Sequence, residues 1–158
     1  MRFFPKQLAI LFIASSIAGI GALAPALAEE PDSAAIKAHL KALDSGPKTI
    51  DVTKYPAEQK AGYKVFTKKC SKCHTIARPI NSDFVLPAQW QRYIKRMIFK
   101  PNSQMSDADG KGIFRFLVYD ASVRKRELVK KALSSLSAGE RTEAIGKIKE
   151  INPAFTAP

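Results

Sequence analysis

The stretch Gly62-Tyr63-Lys64-Val65-Phe66-Thr67-Lys68-Lys69-Cys70-Ser71-Lys72-Cys73-His74 sets the architecture of this chain. Gly62, Val65 and Phe66 fall on one stripe at helical spacing, and Pro56 stands where a first helical residue tolerates a missing N–H, so a helix is expected from Pro56 through Lys69. Upstream, Thr49 to Tyr55 reads as extended. Before it, Asp32 or Ser33 caps a short helix to about Leu43, with Ile36, Leu40 and Leu43 on one face and Gly46-Pro47 closing it. Downstream, Arg78 to Ala88 holds Pro79 and Pro87 with little periodicity and reads as a loop. Gln89 to Phe99 is helical, with Trp90, Ile94 and Met97 at i, i+4, i+7. Lys100 to Gln104 is a turn. Ser106 and Asp109 resemble a capping box opening a helix that contains Ile113, Phe116 and Leu117 and continues to Leu133, with Gly110 and Gly112 weakening its start. Ser137 and Glu140 repeat the box before a last helix with Ile145, Ile148 and Ile151, ended by Asn152-Pro153. No strand pattern and no internal repeat stands out. The expectation is an all-α fold of five helices.

The chemistry is concentrated at Cys70-Ser71-Lys72-Cys73-His74. Thiols three residues apart can reach the two vinyl groups on one edge of a porphyrin, and the adjacent imidazole then folds beneath the iron, so the spacing suits a covalently attached haem c with His74 as proximal ligand. Cys70 and Cys73 are the two cysteines of the chain, too few for a disulfide framework, a four-thiolate zinc site or an iron–sulfur cluster. The competing readings are a redox C-x-x-C pair and two structural cysteines beside an incidental histidine. A thioredoxin-like pair belongs in a βαβ setting, which the sequence does not offer.

Gly62-x-x-Val65-Phe66-x-x-x-Cys70-x-x-Cys73-His74, the helix carrying Trp90 and the later helix with Phe116-Leu117 together resemble a class I cytochrome c over about residues 58 to 120. The resemblance implies a core in which the small residue of the first helix crosses closely against an aromatic of the last one, here Gly62 with Phe66 against Phe116 or Tyr119. Taken with a leader 1–28 read from its own residues, it leaves an N-terminal accessory segment 29–57, the core 58–120 and a C-terminal helical extension 121–158. It also implies a methionine as sixth iron ligand, several residues before the last core helix. Met97 fits that place and Met105 is the alternative; Met97 also reads as core filling and Met105 as a surface residue. Only 22 residues separate His74 from Met97, fewer than most of the family uses. His39, from the first helix, would give bis-histidine ligation, against its reading as a solvent-facing residue among Lys37 and Lys41.

Further expectations attach to the pocket. His74 should donate its second ring nitrogen to a backbone carbonyl, and the resemblance points to Pro79, which otherwise reads as a loop-stiffening proline. Trp90, Tyr93 or Arg78 could bond a haem propionate, and for Trp90 simple core packing is the even alternative.

The 158 residues are 46% hydrophobic and 25% charged, with a net charge of +12, which fits one folded domain and excludes a multidomain enzyme. Arg2 and Lys6, the uncharged run Leu8 to Leu23 and Ala26-Leu27-Ala28 read as an export signal cleaved after Ala28, with an uncleaved anchor as alternative. Cleavage leaves 24 basic and 14 acidic residues. The expected protein is a periplasmic one-electron carrier between redox partners, with no enzymatic group required. Lys64, Lys68, Lys69 and Lys72, with Arg92, Lys95, Arg96 and Lys100, predict a basic rim that steers docking to acidic protein surfaces. Anionic lipid is a further possible contact for Arg124-Lys125-Arg126 with Lys130-Lys131, and no nucleic-acid motif is present. Two alternatives stand beside the carrier: a cytochrome subunit bound tightly in an oxidoreductase complex through its terminal extensions, and a haem sensor or enzyme with an open distal site.

Overall fold

The computed structural model describes residues 33–157, and the proposed leader and residues 29–32 lie outside them. The described chain is all-α. Seven helices follow in order: α1 (Ser33–Asp44), α2 (Ala57–Cys70), α3 (Ala77–Asn81), α4 (Pro87–Ile98), α5 (Asp107–Arg124), α6 (Arg126–Ser134) and α7 (Ala138–Ile151). No strand occurs among the described residues, and no helix there is long and apolar enough to cross a membrane.

Two helices beyond the expected five arise from identifiable causes. Pro79 does not break the chain, because it is the third residue of α3, where its missing N–H would have had no intrahelical acceptor. The helix expected from Ser106 to Leu133 is instead interrupted at Lys125, whose backbone leaves the helical region at φ −113°, ψ 35°. The bend lets α6 bury Val129 and Leu133 in the common core. Pro87 takes the first position of α4, and the Gln89 side chain folds back so that its Oε1 accepts from the Val85 and Leu86 N–H groups, both at 2.9 Å. The two capping boxes form as read: Asp109 N–H donates to Ser106 Oγ at 3.1 Å, and Glu140 N–H to Ser137 Oγ at 3.4 Å.

The core is built on the crossing of α2 with α5. A Cβ on Gly62 would lie 2.9 Å from Phe116 Cβ and 3.0 Å from the Gly112 carbonyl oxygen, so only hydrogen fits between the two backbones. Phe66 and Tyr63 stack on Phe116 with centroids 5.4 and 5.2 Å away, while Tyr119 is turned to Tyr55 at 5.0 Å. Gly110 serves α4 in the same way, its missing Cβ making room for Ile98 and Ile94. The glycines that weaken α5 as an isolated helix are thus its contact points. The boundary expected at residue 120 falls inside α5, and α6, α7 and Phe155 belong to the same hydrophobic core. Asn152 Nδ2 donates to Ser122 Oγ at 2.9 Å in the interior, which fastens the C-terminal segment to α5.

Gly62→Ala should push α2 from α5 and lower stability by about 1–3 kcal/mol. Gly146 on α7 has open space where a Cβ would stand, so Gly146→Ala should raise stability by about 0.5–1 kcal/mol. Paired thermal melts check both signs, and a neutral Gly62→Ala would show that the crossing is not tight.

Candidate functional site

α2 ends on Cys70, which is buried, and the chain then turns through Ser71 and Lys72 to an exposed Cys73 and a half-buried His74. Both cysteines are free thiols. One cavity is lined by Cys70, Cys73 and His74 from this turn, Met97 from α4 and Met105 from the segment before α5. The structure therefore brings both candidate thioethers to the same site as the imidazole. Met105 is partly buried and packs on the core edge, which differs from its reading as a surface residue, and Met97 is partly buried beside it. His39 is exposed on α1 and is not among the residues lining this cavity.

The segment between α4 and α5 is held against the motif by polar contacts. Lys69 Nζ donates to the Gln104 carbonyl at 2.7 Å and pairs with Asp109 at 2.8 Å, and Lys72 donates to the Gln104 side chain. Asn102 sits at φ 63°, a left-handed position that asparagine tolerates better than most residues, and turns this segment back toward the motif. Lys69 and Lys72, expected on a free basic rim, are thus engaged in fastening the Met105 segment.

His74 Nδ1 lies 2.9 Å from the Thr75 carbonyl oxygen. That carbonyl, not Pro79's, is the one the ring meets; the Pro79 carbonyl accepts from Ser82 Oγ at 3.0 Å, because it points along α3. Nε2 is 3.4 Å from the Tyr93 hydroxyl. Tyr93 is buried, and desolvation first, then the nearby Cys70, pushes its phenol well above the ordinary range. Burial, with a smaller contribution from Cys73, pushes the Cys70 thiol up to about 12. Burial thus disfavours the thiolate at Cys70. Among the described residues no group of three or more histidine, cysteine or acidic side chains is placed to share a metal ion.

Trp90 is 1% exposed, packs edge-on against Phe84 and Tyr93, and its Nε1 has no hydrogen-bond partner among the described residues. An unpaired buried donor is costly, on the order of 1–3 kcal/mol, so an acceptor from outside the chain would relieve it. A propionate carboxylate is such an acceptor. Of the other two candidates, Tyr93 has its hydroxyl 3.4 Å from His74 Nε2, and Arg78 is taken by Asp44: Nε donates to Oδ1 at 2.9 Å and Nη2 to Oδ2 at 2.5 Å. The two thiols, the imidazole and the two thioethers that line this cavity are a donor set that fits a haem c.

Sequence reasoning gave no signal for two further features. Lys125 is largely buried, donates to the Ser82 carbonyl at 2.5 Å and lies 5.9 Å over the Trp90 ring; burial lowers its ammonium to about 8. Phe99, at the end of α4 between Met97 and Lys100, is 74% exposed beside a groove of about 500 Å³ lined by α4, α5 and α7.

The hydrogen bond from Lys69, with those from Ser106, holds the Asp109 carboxyl down to about 2. Its folded value lies below the ordinary one, so its contribution is fully present above about pH 4 and is lost as pH falls through 2. Acid titration of the fold should show this limb in wild type and its absence in Asp109→Asn. An identical acid limb in both proteins would count against the Lys69–Asp109 clasp.

Comparison of the chain with protein-family models, with curated proteins and with solved structures returned no match.

Proposed function

We propose that this chain is an exported, periplasmic, single-haem c-type cytochrome of the class I kind, carrying one electron between protein partners without enzymatic turnover. The observation that carries the reading is the meeting of Cys70, Cys73, His74, Met97 and Met105 on one cavity. Cys70 and Cys73 would hold the haem through thioether bonds, His74 through its imidazole, and Met97, with Met105 as alternative, through a thioether sulfur. When bound, the haem would supply a reversible one-electron change at its iron, and a thioether ligand together with an imidazole would favour the reduced state.

The chain's own residues do the rest. A ring N–H at His74 Nδ1 would be held by the Thr75 carbonyl, and Nε2, which now lies 3.4 Å from the Tyr93 hydroxyl, would hold the metal. Phe66, Phe116 and Trp90, all fully buried, exclude water from the interior beside the motif. Trp90 Nε1, buried without a partner, would be free to donate to a propionate. Met97 sits on a helix closed against α5 and Met105 on a segment clasped by Lys69 and Lys72, so either sulfur is held with little freedom to rearrange when the iron charge changes.

Exposed Lys64, Lys68, Lys95, Arg96 and Lys100 offer positive charge around the motif and α4 to an acidic partner. Phe99 adds an apolar contact within that face. The second basic cluster is smaller than its sequence: Arg124 is bonded to Asp120 and Lys125 is largely buried, which leaves Arg126, Lys130 and Lys131 for peripheral contact with anionic lipid.

The test is an optical spectrum of the purified protein, oxidised and reduced, with Met97→Ala and Met105→Ala beside wild type. A low-spin c-type spectrum whose thioether-to-iron charge-transfer band vanishes only in Met97→Ala is expected. Loss only in Met105→Ala keeps the function and moves the ligand. A high-spin wild-type spectrum that shifts with carbon monoxide replaces the carrier by a sensor or enzyme.

A further inference from the structure

We propose that Asp44 is a positioning residue for the iron's proximal side: by clamping Arg78 it fixes the turn that carries His74, and α1 is the strap that holds Asp44 there. The inference rests on the haem reading above and adds a role for a helix that reading leaves without one.

α1 buries none of its own residues, and α3 is the helix it packs on. A helix without a buried face has little hydrophobic reason to stay docked. Among the described residues, polar contacts hold its C-terminal end. Arg78 and Asp44 form a two-pronged pair, with the two side chains 28% and 27% exposed. The Asn81 side-chain amide donates to the Leu43 carbonyl at 3.0 Å and to the Pro47 carbonyl at 3.1 Å. A Cβ on Gly46 would stand 2.4 Å from Asn81 Nδ2, so any side chain at residue 46 would dislodge that amide.

The far end of the strap is the histidine. The Thr75 carbonyl oxygen is the meeting point: His74 Nδ1 lies 2.9 Å from it, and the Arg78 backbone N–H donates to it at 3.2 Å. Thr75 Oγ1 also accepts from the Ala77 N–H at 3.2 Å. Arg78 thus holds Asp44 with its side chain and the histidine's carbonyl partner with its backbone. Movement of Arg78 must be felt at the His74 ring. Electrostatics run along the same line: Arg78 holds the Asp44 carboxyl below the usual carboxylate range, and His74 adds to that effect.

Asp44 therefore does two things. It offsets the Arg78 positive charge near the proximal ligand, and it withholds the guanidinium from any other carboxylate. Removing the Asp44 charge leaves an uncompensated cation beside a centre that gains positive charge on oxidation, which disfavours the oxidised state.

The experiment is spectroelectrochemical titration of the haem-loaded full chain, for wild type, Asp44→Asn, Asp44→Glu and the double variant Asp44→Asn/Arg78→Gln. Each is measured at low and high salt, with limited proteolysis around residues 45–49 alongside. The expected result is a higher midpoint potential in Asp44→Asn, shrinking with salt, and a return toward wild type in Asp44→Glu; in the double variant the salt-sensitive part of the shift should vanish while faster cleavage of the strap persists, because the clamp is still missing. Faster cleavage of the strap should accompany Asp44→Asn. A potential that ignores Asp44→Asn overturns the proposal, and if cleavage alone accelerates, Asp44 is a structural staple. A wild-type chain that carries no c-type haem overturns the functional reading instead, which its spectrum shows before any variant is compared.

Discussion

The close crossing of α2 on α5 at Gly62 is the contact on which the other elements depend. Because no Cβ intervenes, the two backbones approach until Phe116 and the Gly112 carbonyl touch α2 directly, and Phe66 is sealed from solvent. Burying one such ring contributes about 1.5–3 kcal/mol, and Phe66, Phe116 and Tyr63 meet at this one place. The crossing also has a positional consequence. It brings the C-terminal end of α2, where Cys70 lies, near the N-terminal end of α5, where Ser106 and Asp109 cap the helix just after Met105. α4 then closes on α5 through Gly110 and adds Met97. Two glycine contacts on one helix thus assemble every residue of the candidate site except those the turn itself supplies.

The charge of the chain is organised around the same frame. Several acids are committed to internal clasps: Asp44 with Arg78, Asp109 with Lys69, Glu58 with Arg115, and the buried Asp120 with Tyr55 and Arg124. Asp120 sits 2% exposed and accepts from the Tyr55 hydroxyl at 2.9 Å and from Arg124 Nη2 at 2.8 Å. It so ties the segment before α2 to α5 and, through the bond from Arg124 to the Ile80 carbonyl, to α3. A buried carboxylate left without these partners would be strongly destabilising. With acids used in this way, many of the remaining lysines and arginines face solvent uncompensated. The positive surface is therefore a result of where the acids went as much as of composition.

Helices with a cap were legible in the sequence. Ser106 with Asp109 and Ser137 with Glu140 place a helix start to within a residue because a cap is a local event between neighbours in the chain, and Pro56 does so through its fixed φ. Elements set by distant partners were not. The bend at Lys125 has no glycine or proline to announce it; the pull of Ser82 and Ile80 on Lys125 and Arg124, more than forty residues away, accompanies it. α3 was hidden by Pro79, which marks a loop unless its position in the first turn is known. At the site, the Cys70, Cys73 and His74 spacing was visible because the motif is contiguous. The acceptor for His74 Nδ1 was misplaced at Pro79 because a carbonyl acceptor has no side-chain signature. Asp44 and Arg78, 34 positions apart, could not be paired by inspection.

The motif turn itself explains why polar contacts gather around it. Between the end of α2 and the start of α3 the chain exposes Ser71, Lys72 and Cys73 and has little apolar surface of its own to bury. The hydrophobic crossing fixes Cys70 but stops there. The turn beyond Cys70 is secured from two directions in sequence: Lys69 and Lys72 reach forward to Gln104 and Asp109, and Arg78 and Asn81 reach back to Asp44, Leu43 and Pro47. Such partly exposed contacts are individually weak, worth about 0.2–1 kcal/mol each as ion pairs, so they contribute less to global stability than to local geometry. That division suits the one-electron site proposed above, where the fold would have to survive on its core while the ligands are kept from shifting between two charge states. The core supplies the first requirement, and the two polar clasps on either side of His74 supply the second.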